Sequence, residues 1–279
     1  MKIAFYSAAL GDLPLAEVAE WGRQAGFDGV EIDIARHADD PTKTAKTVEI
    51  ARGAGLEVCA LTVFGNLLDQ NTDERDRVRD LVKKVLAEAS KAGVPALVVF
   101  PGRDETISED ENYHDIAAFL QSLITGGSIG TKILIENWPG RYKNFIATAP
   151  HGWRRLFSMV KSPDVGLEFD PSHLLWQGID PSQAAREFGK RIFLLHAKDT
   201  KLFRDRIQDV GYCGRWWEYR LPGRGEMDWR QFLGGLAGYT GFISIEHEDT
   251  EFGWPNGPVE LRKEGLLKGL ATLRDSPGP

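Results

Sequence analysis

Short apolar runs recur along this chain, each ending on or beside a polar residue, and stretches of helical spacing separate them. Lys2-Ile-Ala-Phe-Tyr6, Val30-Glu-Ile-Asp-Ile34, Leu56-Glu-Val-Cys-Ala-Leu61 and Ala96-Leu-Val-Val-Phe100 have the length and composition of strands. So do Ile133-Leu-Ile-Glu136, Val165-Gly-Leu-Glu-Phe-Asp170, Ile192-Phe-Leu-Leu-His196 and Phe242-Ile-Ser-Ile-Glu246. Between them, Leu15 to Ala25 places Leu15, Val18, Ala19 and Gly22 on one helical side. Further helices are predicted from near Pro41 to Gly53, from Asp73 to Lys91, and from Glu109 to Ile124. Others start near His151, Pro181 and Met227, and the last runs from Pro258 to Leu273. Eight strands alternating with eight helices predict an α/β protein, a single (β/α)8 barrel over residues 1–274 with a frayed tail at 275–279.

The last four strands end in Glu136, Asp170, His196 and Glu246. In a parallel barrel the C-terminal strand ends surround the mouth, where chemistry is placed. Residues two apart share a face, so Glu136 goes with Leu134, His196 with Leu194 and Glu246 with Ser244. Three carboxylates and one imidazole suit one divalent cation, Mn²⁺ first, with Mg²⁺, Co²⁺ or Zn²⁺ as alternatives. His173, beyond the turn at Pro171, is expected to contact substrate or act as a fifth ligand. Lys198 shares the face of His196 and is expected at a substrate oxygen, with a surface ion pair as the bland reading.

The longest irregular stretch, residues 200–226, carries Trp216, Trp217, Tyr219 and Arg220. So much aromatic surface argues for a folded loop that walls the substrate pocket, where Trp216 and Trp217 either stack on the substrate or simply bury the loop. Asn66 and Arg103, after the third and fourth strands, are candidate hydroxyl-binding groups. His151 is expected to begin a helix, His247 to point away from the barrel axis, and His37 and His114 to be surface residues.

A barrel needs ~250 residues, and the 279 here leave little over. A net charge of −7 argues against a nucleic-acid partner. Two unpaired cysteines, Cys59 and Cys213, exclude a thiolate metal cage and fit a reducing compartment. With no apolar segment of membrane-spanning length and a strand-like start, a cytoplasmic protein without membrane partners is expected.

The segments Asp170-Pro-Ser-His173, His196-Ala-Lys-Asp199, Arg220-Leu-Pro-Gly-Arg-Gly-Glu226 and Ile245-Glu-His-Glu-Asp249 resemble the xylose isomerase-like TIM-barrel superfamily, nearest its sugar phosphate isomerase/epimerase group. Trp216-Trp217, Glu136-Asn-Trp-Pro139, Phe100-Pro-Gly-Arg-Asp104 and Gly65-Asn-Leu-Leu-Asp69 are similar to the branch that acts on 3-keto sugars and 3-oxo-glycosides, with Trp138 replacing a cysteine. The resemblance implies enolisation of a keto-sugar, with Glu136 and Glu246 exchanging the proton on opposite faces of the substrate. Isomerisation, epimerisation, β-elimination from a 3-oxo-glycoside and inosose-type dehydration all share this ligand set. The lyase reading brings in a small partner subunit, and the barrel class suggests a homodimer. An endonuclease IV-like trizinc site is excluded because no histidine lies between His37 and His114. Binding without turnover is disfavoured by the complete ligand set, and a phosphorylated substrate by the acidic Glu248-Asp249-Thr-Glu251 run.

Overall fold

The computed structural model describes residues 1–38, 40, 43–124, 130–236 and 238–276. Strands β1 (Lys2–Tyr6), β2 (Gly29–Asp33), β3 (Glu57–Thr62), β4 (Ala96–Val99), β5 (Lys132–Glu136), β6 (Val165–Phe169) and β7 (Ile192–Ala197) come first in the chain. A hairpin of β8 (Asp199–Leu202) and β9 (Trp217–Arg220) follows, and then β10 (Phe242–Ile245). The closed barrel runs β1-β10-β7-β6-β5-β4-β3-β2, all parallel, while β8 and β9 form a separate antiparallel pair. The predicted (β/α)8 barrel is therefore present, and the hairpin replaces the irregular loop expected over residues 200–226.

The principal outer helices are α1 (Leu15–Ala25), α3 (Thr44–Gly53), α4 (Thr72–Lys91), α5 (Glu109–Ile124), α6 (Pro150–Met159), α8 (Pro181–Phe188), α10 (Trp229–Gly234) and α11 (Val259–Arg274). Shorter helices are α2 (Ile34–His37), α7 (Pro171–Leu175) and α9 (Ile207–Val210). The expected helix start at Pro41 lies outside the described residues, and α3 begins at Thr44. Two turns were not legible as helices because a single side chain creates each of them. Asp33 accepts from Ala35 and Arg36 to start α2, and Asp170 accepts from Ser172 to start α7.

Most of the apolar core lies between barrel and helices, with Phe5, Ile32, Leu61, Trp153 and Phe169 buried there. A smaller cluster of Ala4, Cys59, Ala60, Ala96, Val98, Leu134 and Leu194 fills the barrel interior. The polar side chains beyond it stand on a packed floor, which suits the C-terminal mouth for chemistry. Among the described residues, no helix is long and apolar enough to cross a membrane.

Gly166 of β6 shows how tight the wall is, since a Cβ there would overlap the Arg191 carbonyl oxygen and the Phe193 ring. Gly166→Ala should therefore cost about 1–3 kcal/mol. Gly189, with φ −50° and nothing near its Cβ position, should accept alanine at little cost. Urea-unfolding midpoints check the pair, and equal midpoints for the two variants would refute this account of β6.

Candidate metal centre

Strand ends β5, β6, β7 and β10 bring Glu136, Asp170, His196 and Glu246 together, with one ligand atom from each within 4.8 Å of all the others. His196 Nδ1 lies 3.0 Å from Glu246 Oε2, 3.8 Å from Glu136 Oε1 and 4.0 Å from Asp170 Oδ2. Asp170 and His196 are buried, and Glu246 is 13% exposed toward the mouth. Asp170 Oδ2 and His196 Nδ1 make no hydrogen bond among the described residues. Two buried polar atoms without a hydrogen bond, converging with two more carboxylates, fit a divalent cation in oxygen-rich coordination. Asn137 fixes the Asp170 backbone, since its Oδ1 accepts from Asp170 N and its Nδ2 donates to Asp170 O, both at 2.8 Å.

A buried polar layer lies deeper. Glu31 accepts from Thr62 Oγ1 at 2.5 Å and from Ser244 Oγ at 2.8 Å, and its Oε2 is 2.9 Å from His196 Nε2. With Nε2 committed to Glu31, Nδ1 faces the carboxylate cluster, an arrangement that sets tautomer and ring orientation in metal-binding histidines. Glu168 Oε1 is 3.0 Å from the same Nε2, and neither of its oxygens makes a hydrogen bond among the described residues. Burial, and then the Glu31 charge, push the Glu168 carboxyl up to about 8. Sequence reading missed both glutamates. Strand parity carried the signal, because Glu168 lies two residues before Asp170 and Glu31 two before Asp33.

Lys198 is buried at the centre of the cluster, with Nζ 2.6 Å from Glu246 Oε2, 3.0 Å from Glu248 Oε2 and 3.1 Å from Asp170 Oδ2. It is no surface ion pair. Burial alone would discharge it, but Asp170, Glu246 and Glu248 outweigh burial and hold it well above the usual lysine range. His173 is also buried, its Nε2 3.2 Å from Asp170 Oδ2 and 3.4 Å from Glu136 Oε1, its Nδ1 2.9 Å from Tyr219 Oη. Burial, and then Lys198, lower it to about 3. Burial opposes ionisation of Glu136, and the Glu246 charge adds to that, so its carboxyl is well raised. Burial works the same way on Glu246, but Lys198 and His196 overcome it and lower the carboxyl. His196 is raised because Glu168, Glu31 and Glu246 outweigh its burial.

A cavity of about 350 Å³ opens onto this cluster, lined by Tyr6, Asp33, Arg36, Phe64, Phe100, Glu136, Trp138, Glu246, Glu248 and Trp254 among others. The other predicted substrate contacts lie elsewhere. Asn66 ties two loops together, accepting from Leu68 N and Arg103 N and donating to Arg103 O. Its Oδ1 fills the space beside Gly102, where φ is +78° and a Cβ would clash. Arg103 borders one cleft with Glu109 and His151, and a second with Asn66 that shares Phe64 and Trp138 with the mouth cavity. Trp216 and Trp217 do not line the cavity. Trp217 and Tyr219 share one face of β9, and that face covers α7, with Trp217 stacked on Trp176 at 4.1 Å and Tyr219 meeting His173 edge-on. Arg220 is held by Glu218 and Glu251. The hairpin therefore reaches the site through Tyr219, and the expected Trp-Trp wall is not where it was placed. His151 begins α6, His114 is exposed, and half-buried His37 bonds Ser7 O. His247 is buried beside α11, where a Cβ on Gly265 would meet it.

The family model described as "Xylose isomerase-like TIM barrel" matches residues 19–275. The chain belongs to this family. It is 26% identical to YfiH of Bacillus subtilis (strain 168), a match spanning 97% of this chain and all of that protein. The apo structure of 3-keto-D-glucoside 4-epimerase from E. coli superposes with a TM-score of 0.72 at 18% identity, covering 98% of this chain and 99% of the other. The structure of the IOLI protein with a bound zinc atom gives 0.72 at 20% identity, over 98% and 99% of the two chains.

Cation uptake here should release protons, because His196 and Glu136 are both held protonated above their ordinary ranges and must lose a proton to ligate. The apparent affinity for Mn²⁺ should rise with pH, as measured by calorimetry in buffers of different ionisation enthalpy; a pH-independent affinity would contradict this. Glu31→Ala should weaken Mn²⁺ binding ~10–100-fold. Glu31→Gln, which keeps an acceptor for His196 Nε2, should weaken it less.

Proposed function

We propose that this protein is a divalent-metal-dependent enzyme that removes a proton beside the carbonyl of a keto-sugar and returns it, giving an epimer or isomer. The observation that carries the proposal is the meeting of Glu136, Asp170, His196 and Glu246 at the floor of an open cavity, with no hydrogen bond to Asp170 Oδ2 or His196 Nδ1 among the described residues. These four residues would hold the cation, Mn²⁺ by the hardness of its mainly oxygen donors, with Mg²⁺, Co²⁺ or Zn²⁺ as substitutes. A cation there supplies positive charge to the carbonyl oxygen and so acidifies the neighbouring C–H. The structural neighbours support the reading by their names: one acts on a 3-keto-glucoside and another carries zinc.

Glu136 and Glu246 stand on strands separated in the barrel by β6 and β7, and both reach the cavity. A sugar carbon between them is open to a carboxyl group on either side, so the ionised one takes the proton and the protonated one delivers its own to the opposite face, inverting the centre and exchanging their protonation states. Lys198, between Glu246 and Glu248, donates to the sugar oxygen that gains charge, and His173 holds a neighbouring hydroxyl. The carboxyl-rich lining of Asp33, Glu136, Glu246 and Glu248, set against the single arginine Arg36, favours an uncharged sugar over a phosphorylated one.

Glu246→Gln should lower kcat by ~10²–10⁴-fold with the fold intact by circular dichroism. Near-wild-type turnover in that variant would eliminate the two-base mechanism. Chelation should stop the reaction and Mn²⁺ restore it. Metal-loaded protein in D₂O with free ketoses and 3-oxo-glycosides should place deuterium next to the carbonyl by NMR. Loss of an aglycone instead would assign β-elimination, and activity in fully metal-free protein would rule out the cation.

A further inference from the structure

The mouth cavity is unevenly lined. Tyr6, Asp33, Glu246 and Glu248, at the ends of β1, β2 and β10, are polar and have Trp254 beyond them, while Phe64, Phe100 and Trp138, just beyond β3, β4 and β5, form a row of aromatics next to Glu136. The three rings pack on one another, with centroids 5.0 Å apart for Phe64–Phe100, 5.2 Å for Phe64–Trp138 and 5.8 Å for Phe100–Trp138. Phe145 continues the row 5.4 Å from Trp138. Phe64 is nonetheless 54% exposed, although it is anchored on two neighbouring rings. A large apolar side chain left open inside a cavity marks a surface meant to be covered by a ligand.

A free monosaccharide fits this surface poorly. Its hydroxyls ring the whole perimeter, and its apolar faces need one aromatic ring rather than a row. A molecule with a polyhydroxylated half and an apolar half matches both stretches of the lining at once. We propose that the substrate is a keto-sugar carrying an aryl or similarly apolar substituent, and that Phe64, Phe100 and Trp138 are the subsite for that substituent. The inference rests on the keto-sugar reading above and names its substrate class. It also moves the substrate-facing aromatic surface from the β8–β9 hairpin to the opposite side of the barrel, after β3, β4 and β5.

The test separates binding from chemistry. Calorimetry on the Mn²⁺-loaded protein compares phenyl β-D-glucopyranoside with methyl β-D-glucopyranoside, neither of which has a carbonyl to enolise. Covering the open face of Phe64 should favour the phenyl compound by about tenfold or more. Phe64→Ala and Trp138→Ala should each bring the phenyl-to-methyl ratio toward one, with melting temperatures recorded to confirm folding. Equal affinity of the two probes, or no measurable binding of either, would overturn the subsite. So would a variant that weakens both probes alike, because the rings would then be stacking on the sugar itself. The corresponding 3-oxo-glucosides in D₂O then report on enolisation separately. A phenyl preference without exchange keeps the subsite and removes the enolisation reading, whereas exchange without preference does the reverse.

Discussion

Negative charge concentrated inside a closed barrel is the constraint on which this structure turns. Glu31, Glu136, Glu168, Asp170, Glu246 and Glu248 crowd the upper barrel, against Lys198 and His196 as the cationic groups in contact with them. Like charges at this range oppose one another's ionisation, and burial adds to the cost. The chain meets the cost unevenly. Glu31 is satisfied by two hydroxyls and an imidazole, Glu168 is raised toward its neutral form, and Asp170 keeps one oxygen without a hydrogen bond among the described residues. Residues placed only for stability would not leave such a deficit at the cavity floor. A doubly charged cation offsets it directly.

The scaffold then has to keep these groups from relaxing away from one another. Register does part of this, since Ser244 pairs with His196 and Glu136 with Glu168 across neighbouring strands. Asn137 ties the β5 and β6 ends together, and the hairpin holds α7 through Thr200 Oγ1 donating to Ser172 O at 2.8 Å. A site assembled from β5, β6, β7 and β10 cannot collapse onto itself unless the barrel deforms, and its close-packed floor resists that.

The barrel and the four-residue cluster were legible because an apolar run ending in Glu136, Asp170, His196 or Glu246 reports both strand direction and side-chain face. The lower layer was as regular, but Glu31 and Glu168 sit within their runs rather than at the ends, so only strict application of parity reveals them. Three of the expected substrate contacts were harder to place, for another reason. Asn66 lies in a loop, where backbone path decides direction, and Trp217 and Arg220 lie on β9, a strand of the hairpin that stands outside the barrel and that the sequence reading took for an irregular loop. Asn66 is spent on loop hydrogen bonds, Trp217 on Trp176 and Arg220 on acidic neighbours. The residues that do line the cavity, such as Phe64, Trp138 and Trp254, are single aromatics whose spacing carries no pattern.

The barrel closes on itself, so none of its eight strands presents an open edge. Among the described residues, the unclosed sheet is the hairpin of β8 and β9. Strand edges invite pairing with a second chain, and short length with outward charge discourages it. Each hairpin strand is four residues long, and Lys201 and Glu218 face each other across it. The short, charged hairpin therefore also discourages strand pairing between chains, which ties its sequence to colloidal behaviour as well as to the α7 contacts beneath it.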